Sequence, residues 1–160
     1  MQGNHQYLAG RKILITAGPT REALDPVRFI SNHSSGKMGY ALASAFLAEG
    51  AGVVLVSGPV CLQLKHERLQ VEHVETASEM YIACCRHFEE ADIAVFAAAV
   101  ADYRPVSVAA EKIKKNDDTF TIKLVKNVDI AFEFGRIKKE GQVAVGFALE
   151  TNNELGHAVE

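Results

Sequence analysis

The sequence of 160 residues has little net charge and no long apolar run. A formal net charge of −3, with both signs scattered along the chain, argues against nucleic acid or an anionic membrane as the main partner. The longest apolar run, residues 93–101, is far too short to span a bilayer. Residues 1–10 also lack the charged and then apolar pattern of a signal peptide.

Cysteine is scarce as well. Cys61, Cys84 and Cys85 are odd in number and form no C-x-x-C pair, which argues against a disulfide framework and against a thiolate metal site. The histidines show no metal-ligand spacing such as H-E-x-x-H. We therefore expect a cytoplasmic protein whose side chains form no metal site.

Two common nucleotide-binding motifs are missing. Residues 32–39 (NHSSGKMG) fit neither the P-loop pattern G-x-x-x-x-G-K-[ST] nor the dinucleotide pattern G-x-G-x-x-G. A nucleotide site in this chain must therefore be built in another way.

What the sequence does contain is an alternation of apolar strands and amphipathic helices. The apolar runs predict strands over 12–17, 51–57, 69–74, 91–99 and 143–148. The helical patterns cover 38–49, 76–90 and 129–139, and Thr76 with Glu79 is a capping box. This order predicts an α/β fold, a doubly wound (Rossmann-like), mostly parallel sheet whose ligand crevice lies beyond the carboxyl ends of the strands.

One insertion interrupts the alternation. Residues 102–126 lack a helical period, and residues 119–125 alternate like a solvent-facing strand, so we expect a lysine-bearing flap with a strand or hairpin. We otherwise expect residues 1–160 to form a single nucleotide-binding domain. Residues 152–160 begin a helical pattern as the chain ends, from which we expect a domain truncated at its carboxy terminus.

The loops after the first, fourth and fifth predicted strands share one edge of such a sheet. The first loop, 32–39, precedes a helix whose free N–H groups favour an anion, although a serine cap with a glycine turn would give the same pattern. In the second loop, 97–105, Asp102 is either a hydrogen-bond partner of a ribose or a cap or turn residue. In the third, Phe147 suits either the core or a base.

The lysines of the insertion also allow two interpretations. Lys112, Lys114 and Lys115 can form an ordinary solvated surface, or they can neutralise triphosphate charge above a nucleotide crevice.

Five segments together resemble the phosphopantothenate–cysteine ligase family. They are ITAGPTREALDPVRFISNHSSGKMGYALA (15–43), AAAVADYRP (97–105), EKIKK (111–115), LVKNVDI (124–130) and GFALET (146–151). The resemblance implies a two-step reaction in coenzyme A biosynthesis. CTP, carrying Mg²⁺, activates 4'-phosphopantothenate as an acyl-cytidylate, which then reacts with L-cysteine.

The resemblance also implies roles for individual residues. Asn32 matches the asparagine that holds the acyl-cytidylate carbonyl, and Lys112 matches a nucleotide-binding lysine, so we predict both as catalytic. The predicted phosphopantothenate loop comprises Ser34, Ser35, Gly36 and Gly39. The predicted nucleotide-binding positions are Ala97, Ala98, Asp102, Lys112, Val128, Asp129, Ile130, Ala131 and Phe147.

Further expectations follow from the family. It usually has proline where Val128 stands, and it continues past Glu160 with a helix that bears nucleotide-binding lysines and a final strand. The family dimerises, and a strand over 119–125 would offer an edge, so we expect a homodimer. Residues 8–12 resemble the linker after a flavin-dependent phosphopantothenoylcysteine decarboxylase half, to which the chain would be fused or bound.

Two other functions share this topology. One is a flavin- or dinucleotide-binding Rossmann-type oxidoreductase, against which the missing fingerprint glycines count. The other is a non-catalytic nucleotide-binding fragment. The sequence does not decide between CTP and ATP.

Overall fold

The computed structural model describes residues 6–114 and 119–147. In chain order these residues form β1 (Lys12–Ala17), β2 (Arg21–Ala23), β3 (Phe29–Ser31), α1 (Lys37–Ala48), β4 (Gly52–Ser57), β5 (Leu69–His73), α2 (Ala77–Phe88), β6 (Ile93–Phe96), β7 (Tyr103–Pro105), β8 (Leu124–Lys126), α3 (Ile130–Ile137) and β9 (Val143–Gly146). The central sheet is parallel and has the strand order β5-β4-β1-β6-β9.

Helices cover both faces of this sheet. Successive side chains of β1 point to opposite faces. Ile13 and Ile15 pack in the cluster that includes α1. Leu14 packs in the cluster that includes Phe88 of α2 and Phe134 of α3. The predicted doubly wound α/β fold is therefore confirmed, and its strand order changes direction between β1 and β6.

The helices and strands of the sheet begin and end close to the predicted residues. The capping box is present, since Glu79 N donates to Thr76 Oγ1 at 3.2 Å and Thr76 N donates to Glu79 Oε2 at 3.3 Å. The strand expected over 91–99 is shorter, because β6 ends at Phe96. Ala99 leaves the ladder and donates its N–H to Gly18 O at 2.9 Å, in the turn that follows β1.

The insertion contains an antiparallel pair, β7 with β8, so its predicted hairpin is present. The strand predicted over 119–125 is wrong for residues 119–123, because β8 begins at Leu124. Its partner β7 is only 3 residues long and ends at Pro105.

A second hairpin, β2 with β3, lies where the sequence suggests only a loop. It docks against the start of α2, because Glu22 on β2 is 4% exposed and its Oε1 accepts the N–H of Ala77 at 2.9 Å. This hairpin leads directly into the loop of Asn32.

Several expectations concern residues outside the described ranges. They are the helical pattern over 152–160, Lys115, and the end of the fifth predicted strand at Ala148. Among the residues that are described, no helix has the length and apolarity needed to cross a membrane.

Gly39 brings α1 close to the sheet. A Cβ added there would lie 2.5 Å from the Cβ of Ala17. We expect Gly39→Ala to lower the free energy of unfolding by about 1–3 kcal/mol, because the helix must move away from β1. Urea denaturation measures the change. Gly135→Ala in α3 is the control, since nothing lies within 4 Å of its added Cβ. Equal effects of the two substitutions would contradict close packing at Gly39.

Candidate functional site

A cavity of about 890 Å³ opens at the carboxyl ends of β1, β6 and β9. This is the position at which doubly wound sheets bind ligands, and the volume suits a nucleotide-sized molecule. Its wall includes most of the predicted nucleotide-binding residues, namely Ala98, Asp102, Val128, Asp129, Ile130, Ala131 and Phe147. The loops after β6 and β9 and the turn before α3 therefore meet around one space.

Two aromatic side chains in the cavity wall are open to solvent. Phe147 is 53% exposed and Phe132 of α3 is 59% exposed. An exposed ring beside a cavity provides a flat apolar surface on which a base can stack. Phe147 is predicted from the sequence and Phe132 is not, although the helical period places Phe132 and the buried Phe134 on different faces of α3.

Asn127, which is not among the predicted site residues, joins two of the cavity loops. Its Nδ2 donates to Ala101 O at 2.7 Å, and its backbone N–H donates to Asp102 O at 2.8 Å. Arg104 Nη1 donates to Asn127 Oδ1 at 2.9 Å and to Lys126 O at 2.9 Å. These bonds fix the loop of Asp102 against the turn that carries Val128.

Asp129 is predicted to bind the nucleotide, and in the structure it also has a role in the fold. It is the N-cap of α3, and its Oδ1 accepts the N–H of Phe132 at 2.9 Å. This bond satisfies one of the free donors of the first helical turn. A contact of Asp129 with a nucleotide stays a prediction.

Asn32 links the first loop to the cavity wall. Its Nδ2 donates to Val100 O at 2.9 Å, and Val100 lines the cavity. The side chain of Asn32 is exposed and has a second amide hydrogen that this bond does not use. The structure therefore brings Asn32 next to the loop that follows β6.

The other residues of the first loop surround the start of α1. Ser34 is half-buried and its Oγ accepts the N–H of Gly36 at 3.2 Å, while Ser35 is exposed. Gly36 is the N-cap residue, with a φ of 73° that favours glycine, and a Cβ there would lie 2.9 Å from Val60 Cγ1. Gly39 is buried against β1, so the structure gives it a packing role, and its contact with substrate stays a prediction.

Two of the predicted nucleotide-binding residues, Ala97 and Lys112, lie away from the described cavity wall. Ala97 is half-buried and packs with the core on the α1 face of the sheet. Lys112 is exposed and lies on the insertion beside Ile113. Both backbone polar groups of Ile113 are bound, its N–H by Asp25 Oδ2 at 3.1 Å and its C=O by Arg28 Nη2 at 2.9 Å.

The cysteines and the other possible metal ligands show which kinds of chemistry the described residues can support. All three cysteines are free, and burial, with a smaller contribution from Cys85, raises the pKa of Cys84 to about 12. The Cys84 thiol is therefore protonated and unreactive at neutral pH. Over residues 6–114 and 119–147 there is no cluster of three or more His, Cys, Asp or Glu side chains suited to a metal ion.

Comparison with known proteins identifies the family. The family described as "DNA/pantothenate metabolism flavoprotein C-terminal domain" matches residues 8–160. A cysteine/cysteine sulfinic acid decarboxylase from an unknown prokaryotic organism is 50% identical over 151 residues, which cover 94% of this chain and 42% of that protein. The coenzyme A biosynthesis bifunctional protein CoaBC of Escherichia coli is 54% identical over 144 residues, which cover 88% of this chain and 35% of that protein.

A solved structure gives the same result. The crystal structure of the C-terminal domain of a CoaBC protein has a TM-score of 0.82 and 44% identity to this chain, and the match covers 96% of this chain and 72% of that one. Since this chain spans only 42% and 35% of the two curated relatives, it corresponds to a part of their length.

Proposed function

The chain belongs to the family of DNA/pantothenate metabolism flavoprotein C-terminal domains, and we propose that it is the phosphopantothenate–cysteine ligase part of a coenzyme A biosynthesis enzyme. The resemblance found in the sequence is confirmed by the CoaBC relatives and by the solved CoaBC domain. The observation that carries the proposed activity is the meeting of the predicted nucleotide loops around one cavity at the strand ends.

The proposed reaction has two steps. The carboxylate of 4'-phosphopantothenate attacks the α-phosphate of CTP, and pyrophosphate leaves. The amine of L-cysteine then attacks the acyl-cytidylate, CMP leaves, and the amide product loses the proton of the amine. Positioning and neutralisation of charge are sufficient for both steps, so this chemistry requires no activated protein nucleophile.

Different regions of the site would bind the nucleotide, the phosphate of 4'-phosphopantothenate and the reacting carbonyl. The cavity wall, with Phe147 and the stretch Val128–Ala131, would hold the base and ribose. The N–H groups at the start of α1, beside Ser34 and Ser35, suit the phosphate of 4'-phosphopantothenate. Asn32 stands between these two regions, where its remaining amide hydrogen can reach a reacting carbonyl.

Mg²⁺ would arrive with CTP. Mg²⁺ is commonly bound through substrate phosphates and one or two carboxylates. The absence of a side-chain cluster for a metal among the described residues fits such binding. The ion would neutralise charge on the triphosphate.

A thermal-shift panel tests the proposed function against its alternatives. We expect CTP with Mg²⁺ to stabilise the protein, by about 2.7 kcal/mol at a hundredfold excess over Kd. Stabilisation only by NAD(P) or FMN would support an oxidoreductase, and stabilisation by none of these ligands would support a non-catalytic fragment. ATP with Mg²⁺ in the same panel measures nucleotide preference.

We also propose a homodimer, for which the β7–β8 hairpin provides a surface. Leu124 and Val125 on β8 are 45% and 41% exposed, and Phe120 of the same insertion is 57% exposed. A second copy would cover these apolar side chains and the open strand edge. Light scattering should give twice the chain mass of 17.4 kDa. Val125→Glu should give a monomer, and a wild-type monomer at micromolar concentration would contradict the proposal.

The family and its relatives also support two proposals about a neighbouring domain and about the location of the protein. The family is a C-terminal domain of flavoproteins, and one relative is a decarboxylase of which this chain covers 42%; both support a decarboxylase half, fused or bound to this domain. Coenzyme A biosynthesis in the relatives supports a cytoplasmic location.

A further inference from the structure

Asp25 is a buried carboxylate to which the proposed reaction assigns no role. It lies in the turn between β2 and β3, and its side chain is 0% exposed. Placing an ionised group out of contact with water is costly unless partners satisfy it. The partners of Asp25 therefore show what the residue does.

The two oxygens of Asp25 have different tasks. Oδ1 closes the hairpin turn, since it accepts the N–H groups of Val27 at 2.8 Å and of Arg28 at 2.9 Å. Oδ2 faces the insertion. It accepts Arg28 Nε at 2.9 Å, Arg28 Nη2 at 2.5 Å and the N–H of Ile113 at 3.1 Å. Because Arg28 Nη2 also donates to Ile113 O at 2.9 Å, Oδ2 and Arg28 together hold the insertion on the hairpin.

The ionised state of Asp25 agrees with this geometry. The hydrogen bond from Arg28, helped by the backbone donors and opposed by burial, holds the pKa of Asp25 far below its usual range. The carboxylate is therefore charged at any physiological pH. In this state it acts only as a hydrogen-bond acceptor.

The β2–β3 hairpin is connected to both predicted catalytic residues: Lys112 lies on the insertion that the hairpin binds, and Asn32 follows β3 in the chain. Ile113 is the neighbour of Lys112, and a further bond joins Ala109 N to Leu24 O at 3.0 Å. From Arg28 the extended strand β3 leads to Asn32, four residues away, a reach of about 13 Å. Asp25 thus joins the chain segment of Lys112 to the hairpin that leads to Asn32.

We propose that Asp25 is a positioning residue that fixes the lysine-bearing segment at a set distance from the Asn32 loop, an inference that rests on the proposed ligase function. It acts through Arg28 and the backbone of Ile113 and has no contact with substrate. The segment of Lys112 is then placed before CTP arrives, which lowers the cost of neutralising the triphosphate.

Asp25→Asn separates the two tasks of the side chain. An amide oxygen in place of Oδ1 keeps the hairpin turn. The amide NH₂ then faces Arg28 and the N–H of Ile113, and it cannot accept their hydrogen bonds. Asp92→Asn is the matched control. Asp92 also accepts a backbone N–H, from Lys12 at 2.8 Å, and an arginine, Arg11 Nη1 at 2.7 Å, but at the amino ends of β1 and β6.

Limited trypsin digestion of the chain tests the attachment without any need for activity. Mass spectrometry identifies cleavage after Lys112 and Lys114, both of which are exposed. We expect Asp25→Asn to raise this cleavage rate on the order of tenfold, as loss of charge-assisted hydrogen bonds implies, and Asp92→Asn to leave it unchanged. Equal cleavage of wild type and Asp25→Asn would overturn the proposal.

A double-mutant cycle tests positioning in the enzyme extended to the length of its CoaBC relatives. Pyrophosphate release should fall in Asp25→Asn, and Asp25→Asn combined with Lys112→Ala should be no slower than Lys112→Ala alone. Transfer from preformed acyl-cytidylate to cysteine should stay within about twofold of wild type, because the turn leading to Asn32 is kept. Additive losses, or equal loss of both steps, would make Asp25 a purely structural residue and overturn the proposal.

The two tests also separate failure of this proposal from failure of the proposed function. Absence of CTP-dependent pyrophosphate release in the wild-type enzyme would contradict the ligase function. The trypsin result would still decide whether Asp25 holds the segment of Lys112.

Discussion

Lys112→Ala is expected to cripple acyl-cytidylate formation, raising the activation free energy of the first step by roughly 2–4 kcal/mol, as loss of one oxyanion donor does elsewhere. Charge builds up on the departing pyrophosphate, and a lysine placed beside it stabilises that charge. Lys112 is exposed, which leaves its ammonium group available to a ligand. Pyrophosphate release from CTP and 4'-phosphopantothenate, without cysteine, measures the step.

Two further variants test whether the effect belongs to Lys112 and to its charge. Lys123→Ala removes another exposed lysine, on the other arm of the same insertion, and should leave the rate within about twofold of wild type, as ordinary surface substitutions do. Lys112→Arg keeps the charge and should recover part of the rate. Pyrophosphate release at the wild-type rate in Lys112→Ala would place Lys112 on the solvated surface.

Asn32→Asp is expected to form acyl-cytidylate and then fail to pass it efficiently to cysteine. The carbonyl of the mixed anhydride gains negative charge when the amine attacks, so a donor on Asn32 matters most in the second transition state. Aspartate removes the donor and brings a negative charge towards the same atom. Mass spectrometry should therefore show the intermediate accumulating in the variant.

The bond of Asn32 to Val100 O calls for a control, because aspartate breaks that bond as well. Asn32→Ala loses the same bond and the same donor but adds no charge, so it should slow the second step less than aspartate does. Equal loss of both steps in the two variants would show that Asn32 only fixes the loop against the cavity wall.

The sequence predicts the inner strands of the central sheet well because β1, β4 and β6 are largely buried. β1 is buried from Ile13 to Ala17 and reads as one apolar run, and its predicted bounds agree with the structure. The capping box of α2 is a local signal within four residues, so Thr76 and Glu79 are sufficient to predict it.

The β2–β3 hairpin is missed for a physical reason. Each strand has only 3 residues, too few to show a period of two. Glu22 occupies a buried position on β2 because it caps α2, a contact across 55 residues that no local pattern reveals. The sequence does contain one signal of the turn, since Asp25 followed by Pro26 is typical of an Asx turn.

The candidate site is predictable in part. Carboxyl ends of parallel strands meet at one edge, so the loops of Asp102 and Phe147 can be placed together in advance. The bonds that fix those loops join distant residues, as Asn127 does with Ala101 and Asn32 with Val100, and only the fold brings these pairs together. The residues that position the site are therefore harder to predict than the residues that line it.

The proposed ligase function depends most directly on the acyl-cytidylate intermediate. The measurement is mass spectrometry of the full-length enzyme incubated with CTP, Mg²⁺ and 4'-phosphopantothenate, first without and then with L-cysteine. We expect 4'-phosphopantothenoyl-cytidylate before cysteine is added, and its conversion to 4'-phospho-N-pantothenoylcysteine and CMP afterwards. Absence of both the cytidylate and CMP would contradict the proposed function.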